Sequence, residues 1–210
     1  MNLIKSLEWR YATKVFDNKK IIDPVLVDKI KQGFNLSASS YGLQPVKLIL
    51  LKNKKIQNEL LSISMNQKQV LDASHLAIFC INVNIDCDYI QDYFKRIKKI
   101  RKTEESILSS YRNNLISTFS EMSQIDIELW ATKQAYLAMG NLLAVCADLK
   151  VDACPMEGFD SLAYDEYFKL NKKGLKSVLI MPMGYRSSQD ILSKMKKVRK
   201  PISESIINIE

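Results

Sequence analysis

Hydrophobic positions recur at two spacings along this chain, and each spacing predicts a different kind of element. Leu3, Leu7 and Tyr11 are four residues apart, which predicts a short amphipathic helix over residues 3–12. The Asp23–Pro24 pair predicts the start of a second helix, because aspartate caps a first turn and proline fits its first position. Continuous apolar runs predict strands at 46–51, 75–83 and 175–184.

The segment 128–149 is apolar on nearly every side of a helical wheel. Such a helix is buried on all sides, either at the centre of a domain or in a large symmetric interface. Gly140 costs this helix ~1 kcal/mol relative to alanine, so we expect close packing at that point. Residues 84–126 are polar, lysine-rich and weakly periodic, and they predict mobile helices. Helices mixed with a few separated strands indicate an α+β fold, or an α/β fold with a small sheet.

Composition indicates an ordinary globular chain. Its 210 residues predict a single domain over 1–210, and 47% hydrophobic with 26% charged residues excludes disordered and collagen-like classes. Cys80, Cys87, Cys146 and Cys154 form no C-x-x-C pair, and the lone His75 cannot complete a zinc set with them. We therefore expect no metal, and we expect reduced thiols in the core of a cytoplasmic protein.

Charge and hydropathy limit the partners that the chain can have. The early charges of the N-terminus are unlike a signal peptide, and the apolar runs fall short of the ~18 residues of a membrane span, so no membrane partner is predicted. The net charge is +8, and residues 95–102 form a basic run. A nucleic-acid or acidic-surface binder is therefore the competing class. A solvated helix face explains the run better, because no nucleic-acid motif accompanies it.

Motifs exclude the common enzyme classes and leave basic residues at the two chain ends. A P-loop and a G-x-G-x-x-G fingerprint are both missing from the sequence, and His75 stands alone at a strand start, where it predicts a capping or core role. Arg10 and Lys14 follow the first helix, whereas Lys197 and Arg199 lie near the C-terminus. These four groups could hold a phosphate by charge-assisted hydrogen bonds if the fold brings the ends together.

An ordered set of short segments resembles the flavin-dependent nitroreductase family, in its branch of bacterial oxygen-insensitive NAD(P)H nitroreductases and dihydropteridine reductases. The matching segments, in the family's order, are 10–16, 37–45, 71–75, 130–137, 140–141, 155–160 and 197–201. Each is weak alone, and their common order is the signal, although 86–124 matches poorly. The resemblance implies an α+β homodimer in which helices flank a small, mostly antiparallel sheet. It also implies that the long helix and two FMN sites lie in the dimer interface.

The same resemblance implies which residues bind FMN. These are Arg10, Tyr11, Ala12, Lys14, Ser39, Ser40, Gly42, Asn66, Gln69, Pro155, Met156, Glu157, Gly158, Lys197 and Arg199. Arg10, Lys197 and Arg199 are expected to hold the phosphate. Lys14 is expected near N1 and O2 of the ring, and the backbone N–H of Glu157 at N5, which gives these two the catalytic roles.

Several positions depart from the family's pattern. Gln69 stands where a second basic residue is usual, so one positive charge near the flavin O2 is expected to be absent. Ala12 replaces a common serine, Gly42 a common asparagine, and Val46 a common tryptophan. These changes affect the pocket rim and the pyrimidine end of the ring more than FMN binding itself. Ser39 and Ser40 are expected to come from the other subunit.

The implied activity is that of an NAD(P)H-dependent FMN oxidoreductase. Hydride would pass from NADH or NADPH through flavin N5 to a nitroaromatic, a quinone or another flat electron-poor acceptor, by ping-pong kinetics. A pterin reductase or a flavin sensor with little nitroreductase activity is the alternative. Ile116 and Phe119, in the poorly matching stretch, are candidates to cover the ring.

Overall fold

The computed structural model describes residues 2–209. Its α-helices are α1 (Leu3–Trp9), α2 (Pro24–Asn35), α3 (Lys54–Glu59), α4 (Gln69–Asp72), α5 (Cys87–Arg101), α6 (Glu105–Glu121), α7 (Gln124–Asp148), α8 (Ser161–Tyr167) and α9 (Ile202–Ser205). Its strands are β1 (Val46–Leu51), β2 (His75–Asn82), β3 (Asp152–Ala153) and β4 (Leu175–Gly184). The three strands predicted from apolar runs are confirmed, whereas β3 is too short to leave a hydrophobic pattern.

The strands form one antiparallel sheet in the order β1-β2-β4-β3. In the central strand β2, His75 lies opposite Met183 of β4, and Leu76 lies opposite Leu51 of β1. Side chains on both faces of β2 are buried, which explains why its sequence is continuously apolar rather than alternating. The small antiparallel sheet of the predicted α+β fold is therefore confirmed.

Helices cover both faces of this sheet. The buried face of α7 packs Ala135, Ala138 and Leu142 against Phe79 and its neighbours. The opposite face packs against α3, α4 and α8, with Leu60 and Tyr164 fully buried there. Tyr164 also shares a 2.7 Å hydrogen bond with Ser64, which satisfies its buried hydroxyl.

The long helix α7 is buried on one side only within the protomer. It begins at Gln124, four residues earlier than predicted, because the Ser123 side chain caps its first turn. Leu129, Tyr136 and Leu137 remain 45–52% exposed on its outer face. Gly140 lies on the same face, and among the described residues no atom outside the adjoining backbone of α7 lies within 4 Å of its Cβ position. The predicted all-round burial and close packing at Gly140 are thus not present in the single chain.

Two helices occupy the poorly matching stretch, and α5 and α6 confirm the helical prediction there. Both pack on a third hydrophobic cluster that includes Phe94 and Leu115. The basic run lies at the end of α5, and three of its cations, Lys98, Lys99 and Arg101, are in the last turn, where positive charge stabilises the helix dipole. Within residues 2–209, no helix is both long and apolar enough to cross a membrane.

The cysteine prediction is confirmed for three thiols and wrong for one. Cys80, Cys146 and Cys154 are buried and free. Cys87 is exposed, because it is the first residue of α5 and lies beyond the buried positions of that helix. His75 is buried beside Ser74, whose hydroxyl lies 2.8 Å from its Nδ1 atom, as a structural histidine should be.

Candidate active site

The segment that follows α1, at residues 10–13, lies beside residues 152–153, which follow α7. Arg10 ends α1, and its backbone N–H donates to the Ser6 carbonyl at 3.1 Å. Ala12 then forms a parallel bridge with Ala153. The backbone of Thr13 donates to the Ala153 carbonyl at 3.4 Å, which fixes the register between the two segments.

A buried ion pair lies next to these two paired segments and stabilises them. Asp152 is 3% exposed, and the Arg186 guanidinium lies 2.6 Å from its carboxylate. The backbone N–H of Arg186 donates to the same carboxylate at 2.7 Å. The guanidinium also lies over the rings of Trp9 and Tyr11, at 4.1 and 4.6 Å from their centroids. Such cation–π contacts add to the ion pair and orient the chain at the end of α1.

A second buried carboxylate, Asp190, holds the backbone around Lys14. It accepts hydrogen bonds from the backbone N–H groups of Lys14 at 2.9 Å and Val15 at 3.1 Å. It also accepts from the Tyr11 hydroxyl at 3.0 Å. Burial and this bond raise the pKa of Tyr11 to about 12. Burial alone would raise the pKa of Asp190, but the hydrogen bonds that it accepts outweigh burial and lower that pKa.

Basic side chains from both chain ends meet beside these segments. The Lys197 ammonium donates to the Arg10 carbonyl. Burial and the charge of Arg199 lower the pKa of Arg10. Burial, followed by the charges of Arg10 and Arg199, lowers the pKa of Lys197. Within the described residues, none of the three pairs with a carboxylate. The three cations therefore form a site with net positive charge that would favour an anion.

The ammonium of Lys14 points toward the loop at 155–158. Its Nζ atom lies 3.6 Å from the Sγ atom of Cys154. Burial raises the pKa of the Cys154 thiol, although the charges of Lys14 and Arg10 partly oppose this shift. A neutral thiol thus separates the lysine from the core.

The loop at 155–158 is anchored to the sheet and to two side chains. Met156 bridges Ile180 of β4, so the middle of the loop continues the sheet. The carboxylate of Glu157 accepts a 2.7 Å hydrogen bond from the hydroxyl of Tyr136 on α7. The Gly158 carbonyl accepts a 2.7 Å hydrogen bond from the amide of Gln67.

The predicted residues Asn66 and Gln69 lie next to that loop. Asn66 is exposed and has a left-handed backbone with φ of 53°. Gln69 is buried, and its amide donates to the Gln67 side chain at 3.2 Å. Because Gln67 in turn holds Gly158, Gln69 supports the loop at a position where the sequence analysis expected a lost cation.

The three remaining predicted residues, Ser39, Ser40 and Gly42, lie in a separate place. Ser39 accepts from the backbone of Gln44 at 2.9 Å, and the Ser40 backbone donates to Gln134 of α7 at 2.8 Å. Among the described residues, no hydrogen bond joins them to the basic cluster. Ser39 lines a cavity of about 480 Å³ between α5, α7 and β1.

Gly42 and Phe119 both lie against aromatic side chains of the same protomer. Gly42 has a φ of 72°, which favours glycine, and a Cβ atom there would lie 2.3 Å from the Tyr93 hydroxyl and would displace that side chain. Phe119 is 3% exposed and packs edge-on against Trp130. Its ring is thus not free to cover a ligand in the protomer, whereas Ile116 is half-buried. Tyr41, which contacts both aromatic rings, is 44% exposed.

Comparison with known proteins assigns this architecture. The model of the nitroreductase family matches residues 7–185. The chain belongs to the nitroreductase family. It is 28% identical to an oxygen-insensitive NAD(P)H nitroreductase of Salmonella typhimurium over 217 residues, covering 100% of both chains. It is 29% identical to the enzyme of that name from Enterobacter cloacae, covering 97% of both. The family assignment confirms the predicted family and the prediction of an oxidoreductase.

Solved structures confirm the nitroreductase-like fold. A nitroreductase from Exiguobacterium sibiricum, solved in complex with FMN, superposes with a TM-score of 0.87 at 15% identity, covering 100% of this chain and 98% of the other. At that identity, the likeness concerns the fold alone.

Residues that support the site of this nitroreductase were missed by sequence reasoning. Asp152, Arg186 and Asp190 are single charged residues in segments with no recognised motif. One sequence feature could have identified Asp152, because this charged residue lies between two apolar ones, Val151 and Ala153. A buried charge of this kind needs a partner.

Proposed function

We propose that this nitroreductase-family protein is an FMN-dependent NAD(P)H oxidoreductase that acts as a homodimer, with one domain over 1–210. The observation that carries the proposal is the cluster of Arg10, Lys197 and Arg199. Three neighbouring cations repel one another, and a bound anion would neutralise that repulsion. A phosphate monoester fits because it accepts several charge-assisted hydrogen bonds at once.

The residues present fit FMN in their chemistry as well as their charge. Arg10, Lys197 and Arg199 would hold the phosphate, and the loop at 155–158 would lie along the ring. The exposed amide of Asn66 could accept and donate at the edge of a flat heterocycle. Tyr11 and Ala12, whose backbone lies between Arg10 and Lys14, would line the same side.

Two groups of this chain would assist the reaction. Lys14 would place a positive charge near N1 and O2, where electron uptake increases negative charge, and so would favour the reduced cofactor. The backbone N–H of Glu157 would donate toward N5 and orient it. Bound FMN supplies two-electron chemistry at N5, between NADH or NADPH and a flat electron-poor acceptor. Nitroaromatics, quinones and pterins fit that acceptor class.

The exposed face of α7 supports the proposed homodimer. Leu129, Tyr136 and Leu137 form an apolar stripe with Gly140, and a second copy of the chain would cover it. Homodimer interfaces are more apolar than the rest of a protein surface, and aromatic residues are enriched in them. Ser39, Ser40 and Gly42 would then belong to the site of the other subunit, which explains their distance from the basic cluster. The cytoplasmic location remains a prediction.

The function is tested by a spectrum of the purified protein, followed by an anaerobic titration with NADH or NADPH. We expect flavin absorption bands that bleach on adding either donor and return on adding a quinone. A flavin sensor would bind the pigment but bleach slowly. A colourless protein that does not take up added FMN would contradict the proposal.

The homodimer has its own test, since Leu137 lies at the centre of the stripe. Leu137→Glu should convert the dimer to a monomer in analytical ultracentrifugation and reduce FMN occupancy. Leu162→Glu, at an exposed leucine of α8 outside both the stripe and the basic cluster, is the control and should change neither. A wild-type protein that sediments as a monomer would contradict this part of the proposal.

A further inference from the structure

The thiol of Cys154 is held rigidly at the start of the loop at 155–158. Its backbone N–H donates to the Pro182 carbonyl of β4 at 3.0 Å, and the preceding residue, Ala153, bridges Ala12. Cys154 is fully buried, with no exposed surface. The sulfur position is therefore fixed by the sheet rather than by a mobile loop.

This thiol contacts two groups of the site at once. The Lys14 ammonium donates to Sγ at 3.6 Å, and the thiol faces the Pro155 carbonyl at 3.9 Å. A neutral thiol can accept from the lysine and donate weakly to that carbonyl. Its raised pKa agrees with this assignment, because a protonated thiol is needed for the weak donation to the Pro155 carbonyl.

Lys14 depends on this contact for the position of its charge. Asp190 fixes the lysine's backbone, but four carbon atoms separate that backbone from the ammonium. In the described part of the chain, the ammonium has no carboxylate partner, and Cys154 is the group to which it donates. Without the sulfur, the side chain would sample several rotamers in solvent.

We propose that Cys154 is a positioning residue that fixes the Lys14 ammonium, and through it the reduction potential of bound FMN. This rests on the proposed function. A cation held in one place near the developing negative charge stabilises it more than a mobile, solvated one, because no reorganisation is needed as the charge appears. Cys154 acts without forming a covalent bond and without ionising.

The test is a spectroelectrochemical titration of FMN in the holoprotein. For Cys154→Ala, the preference of the site for reduced over oxidised FMN should fall about fivefold, which lowers the potential by ~20 mV at ~30 mV per tenfold change. Cys154→Ser should retain most of the wild-type value, since a hydroxyl keeps both a donor and an acceptor. Cys154→Val preserves volume and should behave as the alanine variant does, which covers the case in which alanine fails to fold.

Two controls separate positioning from general loosening of the core. Cys146→Ala removes an equally buried thiol that contacts Met183 and not the site, so it should lower the unfolding temperature and leave the potential unchanged. In a Lys14→Met background, Cys154→Ala should cause no further change in potential, because its effect passes through the lysine.

The outcomes distinguish this proposal from the one on which it rests. Equal potentials for wild type and Cys154→Ala would overturn the positioning role while FMN binding stands. A full shift in the Lys14→Met background would overturn it as well, since the lysine would then be irrelevant. A wild-type protein that binds no FMN would instead overturn the proposed function itself.

Discussion

The N-terminal segment (residues 10–16) and the C-terminal segment (residues 195–209) both bring cations to the candidate site, but the structure holds them in different ways. Residues 10–16 are bonded to β3, to Asp190 and, at Phe16, to Arg186. Residues 195–209 are exposed throughout, and the Lys197 contact to the Arg10 carbonyl connects them to the other chain end. One half of the basic cluster is thus preformed, whereas the other half rests on few contacts.

This difference has a physical consequence for ligand binding. A preformed group costs little entropy when it meets an anion, whereas an exposed tail must lose conformational freedom to do so. We therefore expect substitutions of the carboxylates that anchor the N-terminal segment to reduce folding stability. Substitutions in the C-terminal segment should reduce FMN affinity alone. The predictions below test that division.

The largest effect is expected at Asp152, the buried carboxylate that pairs with Arg186. Asp152→Ala leaves the guanidinium unpaired against the core and should lower the free energy of unfolding by ~3–5 kcal/mol. Asp28→Ala, which breaks the exposed Lys31–Asp28 pair, is the control and should cost less than ~1 kcal/mol. Urea titrations followed by circular dichroism measure both. Equal small losses would mean that the N-terminal segment is not anchored by the buried pair.

The next effect is expected at Asp190, which accepts from Lys14, Val15 and Tyr11. Asp190→Asn places an amide donor against these donors and should cost ~2 kcal/mol of unfolding free energy. The folded pKa of Asp190 lies below its ordinary value, so its stabilisation is fully present above the unfolded pKa of ~3.9 and is lost as pH falls through the folded pKa.

The pH dependence gives this variant its own check. The stability difference between wild type and Asp190→Asn should be constant from about pH 6 to pH 8 and should shrink as the pH is lowered below ~4. Urea titrations at a series of pH values measure that difference. A difference that grows on acidification would contradict the assignment of Asp190 as the stabilising carboxylate.

How much of the fold and of the candidate site could be predicted from the sequence depends on how far apart along the chain the interacting residues are. The apolar runs predicted β2 and β4 because burial on both faces leaves a continuous pattern. The ordered motifs predicted a set of site residues, of which the structure brings Arg10, Lys197 and Arg199 together. The roles of Asp152 and Asp190 in the site were out of reach, because the bonds that anchor the site join each of them to residues more than 30 positions away.

The exposed face of α7 shows a related limit of the sequence pattern. An all-round apolar wheel predicted burial on every side of the helix, whereas the protomer buries one side and leaves the other exposed. It could not distinguish burial within the chain from burial between chains, since both produce the same hydrophobic pattern. The single protomer separates the two, with Ala135 inside and Leu137 outside.

Among the C-terminal cations, Lys197 should affect binding without affecting the fold. Lys197→Ala should weaken FMN binding about tenfold, or ~1.4 kcal/mol, and change unfolding free energy by less than ~0.5 kcal/mol. Lys200→Ala, an exposed lysine three residues later, is the control and should do neither. Flavin fluorescence quenching measures the affinity. A large loss of stability on removing Lys197 would mean that the C-terminal segment is anchored like the N-terminal one.

The smallest effect is expected at Tyr136, whose hydroxyl donates to Glu157 in the loop at 155–158. That bond raises the pKa of the Tyr136 phenol, but it joins two side chains that are exposed in the protomer, and phenylalanine keeps the aromatic ring. Tyr136→Phe should therefore cost only ~0.5 kcal/mol of unfolding free energy and change FMN affinity less than threefold. Tyr164→Phe, which removes a fully buried hydroxyl bonded to Ser64, should cost more. A larger loss of unfolding free energy for Tyr136→Phe than for Tyr164→Phe would contradict this expectation. It would mean that the Tyr136–Glu157 bond, rather than the bridge from Met156 to β4, holds the loop at 155–158.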